Sequence, residues 1–330
     1  MTDKKKYQVA AIGNAMLDVL CEVPDMFLDQ EEISKGVMNL VSRERSNNIL
    51  KLVRPLKETA GGSAANTIST LAKLGLKTGY IGKVADDLKG KIFKKDLMDD
   101  SIFYNTEFLD KRNSESTGKC IVLITPDKER TMNTYLGATE YLSDIDIDEE
   151  LIAHSEWLYL EGYRFDGQES KEAFYKAIEI AKNNDTKIAF TLSDSFCVDR
   201  HRADFVSLLN GSADLVFCNE DELKSLYQVE DIEAAQKFIA NTIKCVACTS
   251  ADKGAYLFQR SSIRRISTNK VSVIDTTGAG DNFAAGFLYG LSKKLSLERC
   301  AAFGNEIAGE VLKVYGPRIE KSLKNFVMRQ

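Results

Sequence analysis

Short apolar runs recur along the chain, and most of them end on a glycine or a polar residue. The first is YQVAAIG, residues 7 to 13, an unbroken run of the kind found in strands buried on both faces. KTGYIGKV around 77 to 84, EWLYLEG at 156 to 162, KIAFTLS at 187 to 193, ADLVFCN at 213 to 219 and KCVACTS at 244 to 250 repeat the theme. Between them lie segments with apolar residues recurring at three and four, such as SKEAFYKAIEIAKNN at 170 to 184 and EDIEAAQKFIA at 230 to 240. That spacing predicts amphipathic helices. Alternating strand and helix predicts an α/β fold of βα units wound about a mostly parallel sheet, with ligand groups gathered beyond the carboxyl ends of the strands.

Two intervals break the alternation, residues 15 to 42 and 104 to 137. In the second, TGKCIVLITPDKERTMNTYLG reads as a hairpin with Pro126 and Asp127 in its turn. Both intervals are expected to pair as a small flap. With no internal repeat or low-complexity stretch in view, residues 1–330 are expected to form one domain with a lid inserted in pieces at about 15–42 and 104–137.

Composition narrows the functional classes. A formal charge of -5, with lysines scattered among acids, gives little electrostatic support for nucleic-acid binding. The opening MTDKKKYQVAAIGNAMLDVL is interrupted by Asn14 and Asp18, so it does not fit a secretory signal, and no apolar stretch approaches bilayer length. Seven dispersed cysteines, an odd number, fit a reducing compartment, and a cytoplasmic protein is expected. Cys245 and Cys248 form a CxxC, but it lies inside a strand-like run and no second CxxC completes a zinc site.

Two glycine motifs carry the candidate chemistry. DTTGAGDNF, residues 275 to 283, runs into a helical segment, so Gly278, Ala279 and Gly280 would lie at a helix start whose unpaired N–H groups suit an anion. Asp281 beside that nest is placed to remove a hydroxyl proton as a phosphoryl group arrives, or else simply caps the helix. AGGSAANTISTLAKLG, residues 60 to 75, is the second motif. There Gly61 and Gly62 admit a ligand to the backbone while Asn66 bonds hydroxyls, or Ser63 caps a packing helix.

Asp18, in GNAMLD, is read as lying in a loop past the first strand, either solvated or gripping two vicinal hydroxyls. Glu222 follows Asn219 by three residues, at a surface helix start or as an oxygen ligand for magnesium-bound water. Other templates fail. No GK pair is followed by Ser or Thr, Ala65 stands where a GxSxG elbow needs glycine, and Phe283 stands where a dinucleotide fingerprint needs glycine or alanine. With His154 and His201 the only histidines, HExxH is absent.

Taken together, GGSAANTISTLAKLG, DTTGAGDNFAAGFL and the Asn219 to Glu222 NxxE resemble, in order and spacing, the signatures of the ribokinase-like (PfkB-type) carbohydrate and nucleoside kinases. The resemblance implies a three-layer α/β/α core with a small β-sheet lid, and Mg-ATP as phosphate donor. It implies Asp281 as catalytic base and Gly278, Ala279 and Gly280 as the anion hole. Glu222, with Asn219, would organise Mg2+ through water, and Arg130 would reach the ATP phosphates. Thr249, Gly254 and Asn305 would border the nucleotide, and Asp275 is a candidate contributor to a K+ site.

GNAMLD is similar to the adenosine kinase version GNPLLD, which points to a purine nucleoside. On that likeness Asn14, Asp18, Gly62, Ser63 and Asn66 would hold the ribose with its 5′-hydroxyl toward Asp281. Tyr163 and Phe196 would flank the base, and Arg164 departs from the more apolar pattern. A fructose or ribose kinase is the alternative, and a non-catalytic nucleotide or sugar sensor is a third reading. Monomer and homodimer stay open.

Overall fold

The structure is a computed structural model and describes residues 5–240, 242–260 and 262–324. Thirteen strands are present among these residues. They are β1 (Tyr7–Ile12), β2 (Met16–Glu22), β3 (Met38–Leu40), β4 (Lys57–Gly61), β5 (Thr78–Ile81), β6 (Gly118–Ile124) and β7 (Arg130–Tyr135). The remainder are β8 (Ser155–Glu161), β9 (Lys187–Thr191), β10 (Leu215–Asn219), β11 (Cys245–Thr249), β12 (Ala255–Gln259) and β13 (Ser262–Ile266). The helices are α1 (Asp25–Gln30), α2 (Arg43–Leu52), α3 (Ser63–Lys73), α4 (Leu88–Asp99), α5 (Glu149–Ala153) and α6 (Gln168–Asn183). They continue with α7 (Ser195–Ser212), α8 (Glu220–Tyr227), α9 (Gln236–Ile239), α10 (Ala279–Ser292) and α11 (Leu297–Val311).

Eight strands form the large sheet in the order β13-β12-β11-β10-β9-β8-β1-β5. From β5 to β11 the neighbours are parallel, and β12 and β13 are antiparallel additions at one edge. Alternate residues of one strand feed opposite layers, because side chains on a strand change face at every step. Thus Val9 and Ala11 join a core with α3, α4, α10 and α11, through Ile68, Phe93, Phe287 and Ile307. Ala10 and Ile12 join the opposite core with α6 to α9, through Phe174, Phe205, Leu223 and Ile239. The result is the expected three-layer α/β/α arrangement. The helix expected over 230 to 240 shrinks to a 3-10 turn, Glu233–Ala235, followed by the single turn of α9.

The second sheet has five strands in the order β3-β7-β6-β2-β4. The expected hairpin is β6 and β7, joined around Pro126 and Asp127, and β2 and β3 come from the earlier interval. The strand at its other edge, β4, lies outside both intervals. Asp18 corrects the sequence reading: it lies within β2, paired with Thr59 on one side and Cys120 on the other, and is buried. One face of this sheet packs Val19, Cys21, Ile121 and Leu123 under Leu28 of α1 and Ile49 of α2. The other carries Met16, Leu20, Cys120, Val122 and Ile124 and turns toward the carboxyl end of the large sheet. The large-sheet order reverses at β1, between β5 and β8, and crevices at such points are where α/β sheets place ligands. Among the described residues, no helix is long and apolar enough to cross a membrane.

Candidate active site

The start of α10 is set by Gly278, whose φ of +77° is a left-handed conformation that glycine adopts without strain. A Cβ there would also run into the backbone of Pro317. Open space lies above Gly280, so the first turn faces an accessible cleft. Of the three expected anion-hole residues, Ala279 is the least available, since its N–H turns back onto the carbonyl of Thr276 at 3.3 Å.

Asp281 sits one residue beyond, in the first turn of α10, where two side chains of α3 hold it. Ser63 Oγ donates to its Oδ1 at 2.6 Å and Asn66 Nδ2 to its Oδ2 at 3.0 Å. Thr67 Oγ1 donates to its backbone carbonyl at 3.1 Å, and Thr70 Oγ1 to Asn282 Oδ1 at 2.7 Å. Residues 63, 66, 67 and 70 fall on one stripe of a 3.6-residue helix, so the polar spacing of GGSAANTIST is the seam that fastens α3 to α10. Ser63 therefore neither caps α3, whose cap is Gly62, nor stands free for substrate; it grips the carboxylate. Burial pushes the Asp281 carboxyl above its usual range, while the Ser63 and Asn66 bonds and then Arg130 and Arg318 pull it back.

Asp18 faces the same cleft from β2, and its carboxyl lies over Gly61, where any side chain would overlap it. Burial pushes it up to about 7, against the pull of Arg318 and with the push of Asp281. Asn14, just past β1, receives Arg164 Nη1 on its Oδ1 at 2.9 Å, while Tyr80 donates to its carbonyl at 2.8 Å. Gly62, at φ +97°, brings the start of α3 against that same carbonyl. Arg164 is buried and also binds the Thr139 carbonyl at 2.6 Å and the Ser170 hydroxyl. Its bond to Oδ1 fixes which way the Asn14 amide faces.

On the other side of the cleft, Asn219 and Glu222 form a capping box at α8. Asn219 Oδ1 accepts from the Glu222 N–H at 2.8 Å, and Glu222 Oε2 accepts from the Asn219 N–H at 3.1 Å. Asn219 Nδ2 also donates to Glu222 Oε1 at 2.6 Å. Burial pushes Glu222 up to about 8, helped by the Asp194 carboxylate and opposed by the Asn219 N–H and Arg130. Among the described residues no group of three or more His, Cys, Asp and Glu side chains could hold a metal alone. Glu222 with Asp194 nearby offers hard oxygen donors suited to a Mg2+ that keeps water and nucleotide oxygens as its other ligands.

Arg130 opens β7 and reaches the loop before α10, its Nη1 donating to the Thr276 carbonyl at 2.6 Å. Thr249 ends β11 and donates to the Cys218 carbonyl. Gly254, at φ +97°, presses against the backbone of 266–268, and Asn305 Nδ2 donates to the Ile266 and Ser267 carbonyls at 3.2 and 3.3 Å. These two build the backbone edge by 266–268. Asp275 is fully buried; its Oδ1 accepts from Thr277 N–H and Oγ1 at 2.9 and 2.7 Å and its Oδ2 from the Gly316 N–H at 2.8 Å.

Tyr163 and Phe196 both lie by the segment that leads into α7. Tyr163 bonds the Ser193 carbonyl and Asp194 and feels Arg130 and Glu222, which places it toward the Glu222 side. Phe196 is 48% exposed on the first turn of α7. Two further charged residues serve the cleft. Glu161, the buried last residue of β8, accepts from the Ala64 N–H at 2.8 Å and the Asn14 N–H at 3.3 Å, tying the two substrate-side loops together. Arg318 reaches Asn66 from the chain's last described segment. Glu161 was visible in EWLYLEG as a carboxylate at a strand end; Arg318 follows YGP and carries no spacing signal.

Residues 34–323 match the pfkB family carbohydrate kinase. The chain belongs to that family. An adenosine kinase from Sinorhizobium meliloti is 38% identical, with a TM-score of 0.95 over 98% of this chain and 99% of that one. A probable sugar kinase from Rhizobium etli is equally similar, 38% identical with a TM-score of 0.95 over 98% of both chains. A Listeria monocytogenes 5-dehydro-2-deoxygluconokinase is 30% identical over 281 residues, 80% of this chain and 86% of that one. This pfkB family kinase is therefore a phosphotransferase with an alcohol group as acceptor and ATP as co-substrate.

Proposed function

We propose that this kinase transfers the γ-phosphate of ATP to the 5′-hydroxyl of adenosine or a related purine nucleoside, with Asp281 as the base. The observation that carries the nucleoside over a free sugar is the cleft-facing side of the small sheet. By the strand register it presents Met16, Asp18 and Leu20 on β2, Cys120, Val122 and Ile124 on β6, Arg130, Met132 and Thr134 on β7, and Lys57 and Thr59 on β4. One carboxylate suited to paired hydroxyls thus sits between a polar strand, with Thr59 beside it, and an apolar patch of Met16, Leu20, Cys120, Val122, Ile124 and Met132. A ribose with a flat base attached meets both halves of that surface, whereas a free sugar or sugar acid would leave its polar groups against hydrocarbon. The 38% identity to the Sinorhizobium adenosine kinase across nearly the whole chain supports the same reading.

In this mechanism Asn14 and Asp18 hold the ribose hydroxyls, and the 5′-oxygen lies beside Asp281. As that oxygen bonds to the γ-phosphorus, the bond from phosphorus to the β,γ-bridging oxygen breaks, ADP leaves, and the hydroxyl proton passes to Asp281. The N–H groups of Gly278 and Gly280 and the Arg130 guanidinium offset the charge on the transferring group. Mg2+ near Glu222 would neutralise nucleotide phosphate charge, and Asp275, through its remaining lone pairs, would be the contributor to a K+ site below the loop.

The test is ADP release by purified protein with Mg-ATP and a panel of adenosine, other nucleosides, ribose, fructose and 5-dehydro-2-deoxygluconate. Turnover of adenosine well above every free sugar is expected. Strong turnover of a sugar or sugar acid with none of any nucleoside would overturn the nucleoside reading, and nucleoside binding without ADP release would favour a sensor.

A further inference from the structure

The segment after α11 carries a positive charge into the cleft that neither glycine motif announces. Arg318 is only 5% exposed. Its Nε donates to Asn66 Oδ1 at 3.0 Å, its Nη1 is paired with Asp96 of α4, and its Nη2 is buried with no hydrogen-bond partner among the described residues. A guanidinium has donors and no acceptor, so the oxygen of the Asn66 amide must face it. The NH2 of that amide then points the other way, at Asp281 Oδ2, 3.0 Å off. Without the guanidinium the amide is free to turn, and turned it would set an acceptor oxygen against the carboxylate.

We propose that Arg318 is a positioning residue for phosphoryl transfer: anchored by Asp96, it fixes the Asn66 amide in the orientation that holds the Asp281 carboxylate for proton abstraction. This rests on the reading of Asp281 as the base. Backbone contacts place Arg318 in register with the phosphate loop. Gly316 N–H binds Asp275 Oδ2 at 2.8 Å, Asn282 Nδ2 binds the Pro317 carbonyl at 2.9 Å, and Gly278 lies against Pro317. Segment 316–318 and the start of α10 therefore form one clamped unit, and the arginine arrives with the loop it serves.

The groups around Asp281 are Ser63 and Asn66 on α3, Arg130 on β7, Arg318, Asp18 on β2, and Tyr159 and Glu161 on β8. Arg318 and Arg130 oppose the mutual repulsion of the carboxylates, and both Asp18 and Asp281 ionise more readily for the presence of Arg318. Removing it makes both harder to ionise.

The experiment compares Arg318→Gln, Asn66→Ala and the double variant with the parent, using Mg-ATP and whichever acceptor the panel shows to be turned over. Arg318→Gln is expected to lower kcat about 10- to 100-fold, the scale of a small misplacement of a reacting group. The KM for ATP should stay within about threefold, and the acid limb of kcat/KM should move to higher pH. The double variant should be little worse than the more damaged single one, since both break one chain of contacts. Arg318→Lys, which keeps the charge and loses the fork, should restore the acid limb more than kcat.

A folded Arg318→Gln enzyme with parental kcat, an unmoved acid limb, or multiplying effects in the double variant would each overturn the proposal. If Arg318→Gln does not fold, the same cycle is run with Asp96→Asn, at a side chain 40% exposed, with the same expected coupling to Asn66. Asp281→Asn is assayed in parallel. Its failure with Arg318→Gln unaffected sinks the positioning role alone, whereas an active Asp281→Asn enzyme sinks the assignment of the base.

Discussion

Replacing Asp281 by asparagine keeps the shape of the side chain and removes its basicity. The parent carboxylate accepts from Ser63 at 2.6 Å and from Asn66 at 3.0 Å. Asn66 cannot reverse its amide while Arg318 holds its oxygen, so the new side chain must turn its own oxygen toward Asn66 and its NH2 toward Ser63. The serine hydroxyl can rotate to accept. Both contacts then survive as neutral hydrogen bonds, each about 1 kcal/mol weaker than its charged counterpart at most. Against that loss, the variant no longer holds a carboxylate that burial disfavours in its charged form. Stability should therefore stay within about 1 kcal/mol of the parent, a Tm shift of about 3 °C or less. Loss of a general base costs about 10²- to 10⁴-fold in kcat, or about 3–5 kcal/mol of barrier at 1.36 kcal/mol per tenfold. Steady-state ADP release with saturating substrates, beside a thermal melt, measures both. A folded variant with kcat within tenfold of the parent would refute Asp281 as the base.

Asp18 must be ionised to accept two hydroxyls, and burial pushes it up to about 7, so kcat/KM should rise as pH climbs through about 7. Asp18→Asn should raise the acceptor KM and flatten that part of the profile; an unchanged KM contradicts the role. The linkage has the opposite sign for the free protein. A folded pKa above the unfolded one favours folding at low pH, and the contribution fades as pH rises toward about 7, so Asp18→Asn should melt higher than the parent at pH 8. Arg130→Ala removes a charged donor from the Thr276 carbonyl and from the cleft, and a contact of that kind is worth about 1.5–3 kcal/mol. The KM for ATP should rise about 10- to 100-fold with acceptor KM moved far less, and a selective loss of acceptor affinity would place Arg130 elsewhere.

Six strands of the large sheet, β1, β5 and β8 to β11, were legible because buried strands read as apolar runs, whereas the antiparallel edge of β12 and β13 was not, β13 being SIRRI with Arg264 and Arg265 exposed. The small sheet was half legible. Its hairpin announces itself through Pro126 and Asp127, but β4 is KETAG, with no apolar alternation, and exists because β2 lies beside it. Asp18 was misread for the same reason: an acid in an apolar stretch looks like a loop until a neighbouring glycine, Gly61, makes room for it. In the candidate site, the motifs named the glycines, Asp281 and Ser63, but not the bond from Ser63 to Asp281, whose two ends are 218 residues apart. Arg318 lies 252 residues from Asn66 and 222 from Asp96, a separation across which one chain alone offers no pattern. The 230 to 240 helix shows the reverse error, since its spacing is helical and its packing supports barely one turn.

Asp18 and Arg130 stand on the same side of a single hydrogen-bonded sheet, the first among residues proposed to touch the acceptor and the second among those proposed to touch the donor. Joined through β6, the two strands that carry them are hydrogen-bonded into one piece. A substitution that displaces β6 is therefore expected to disturb the proposed acceptor and donor contacts together, although it touches neither reactant.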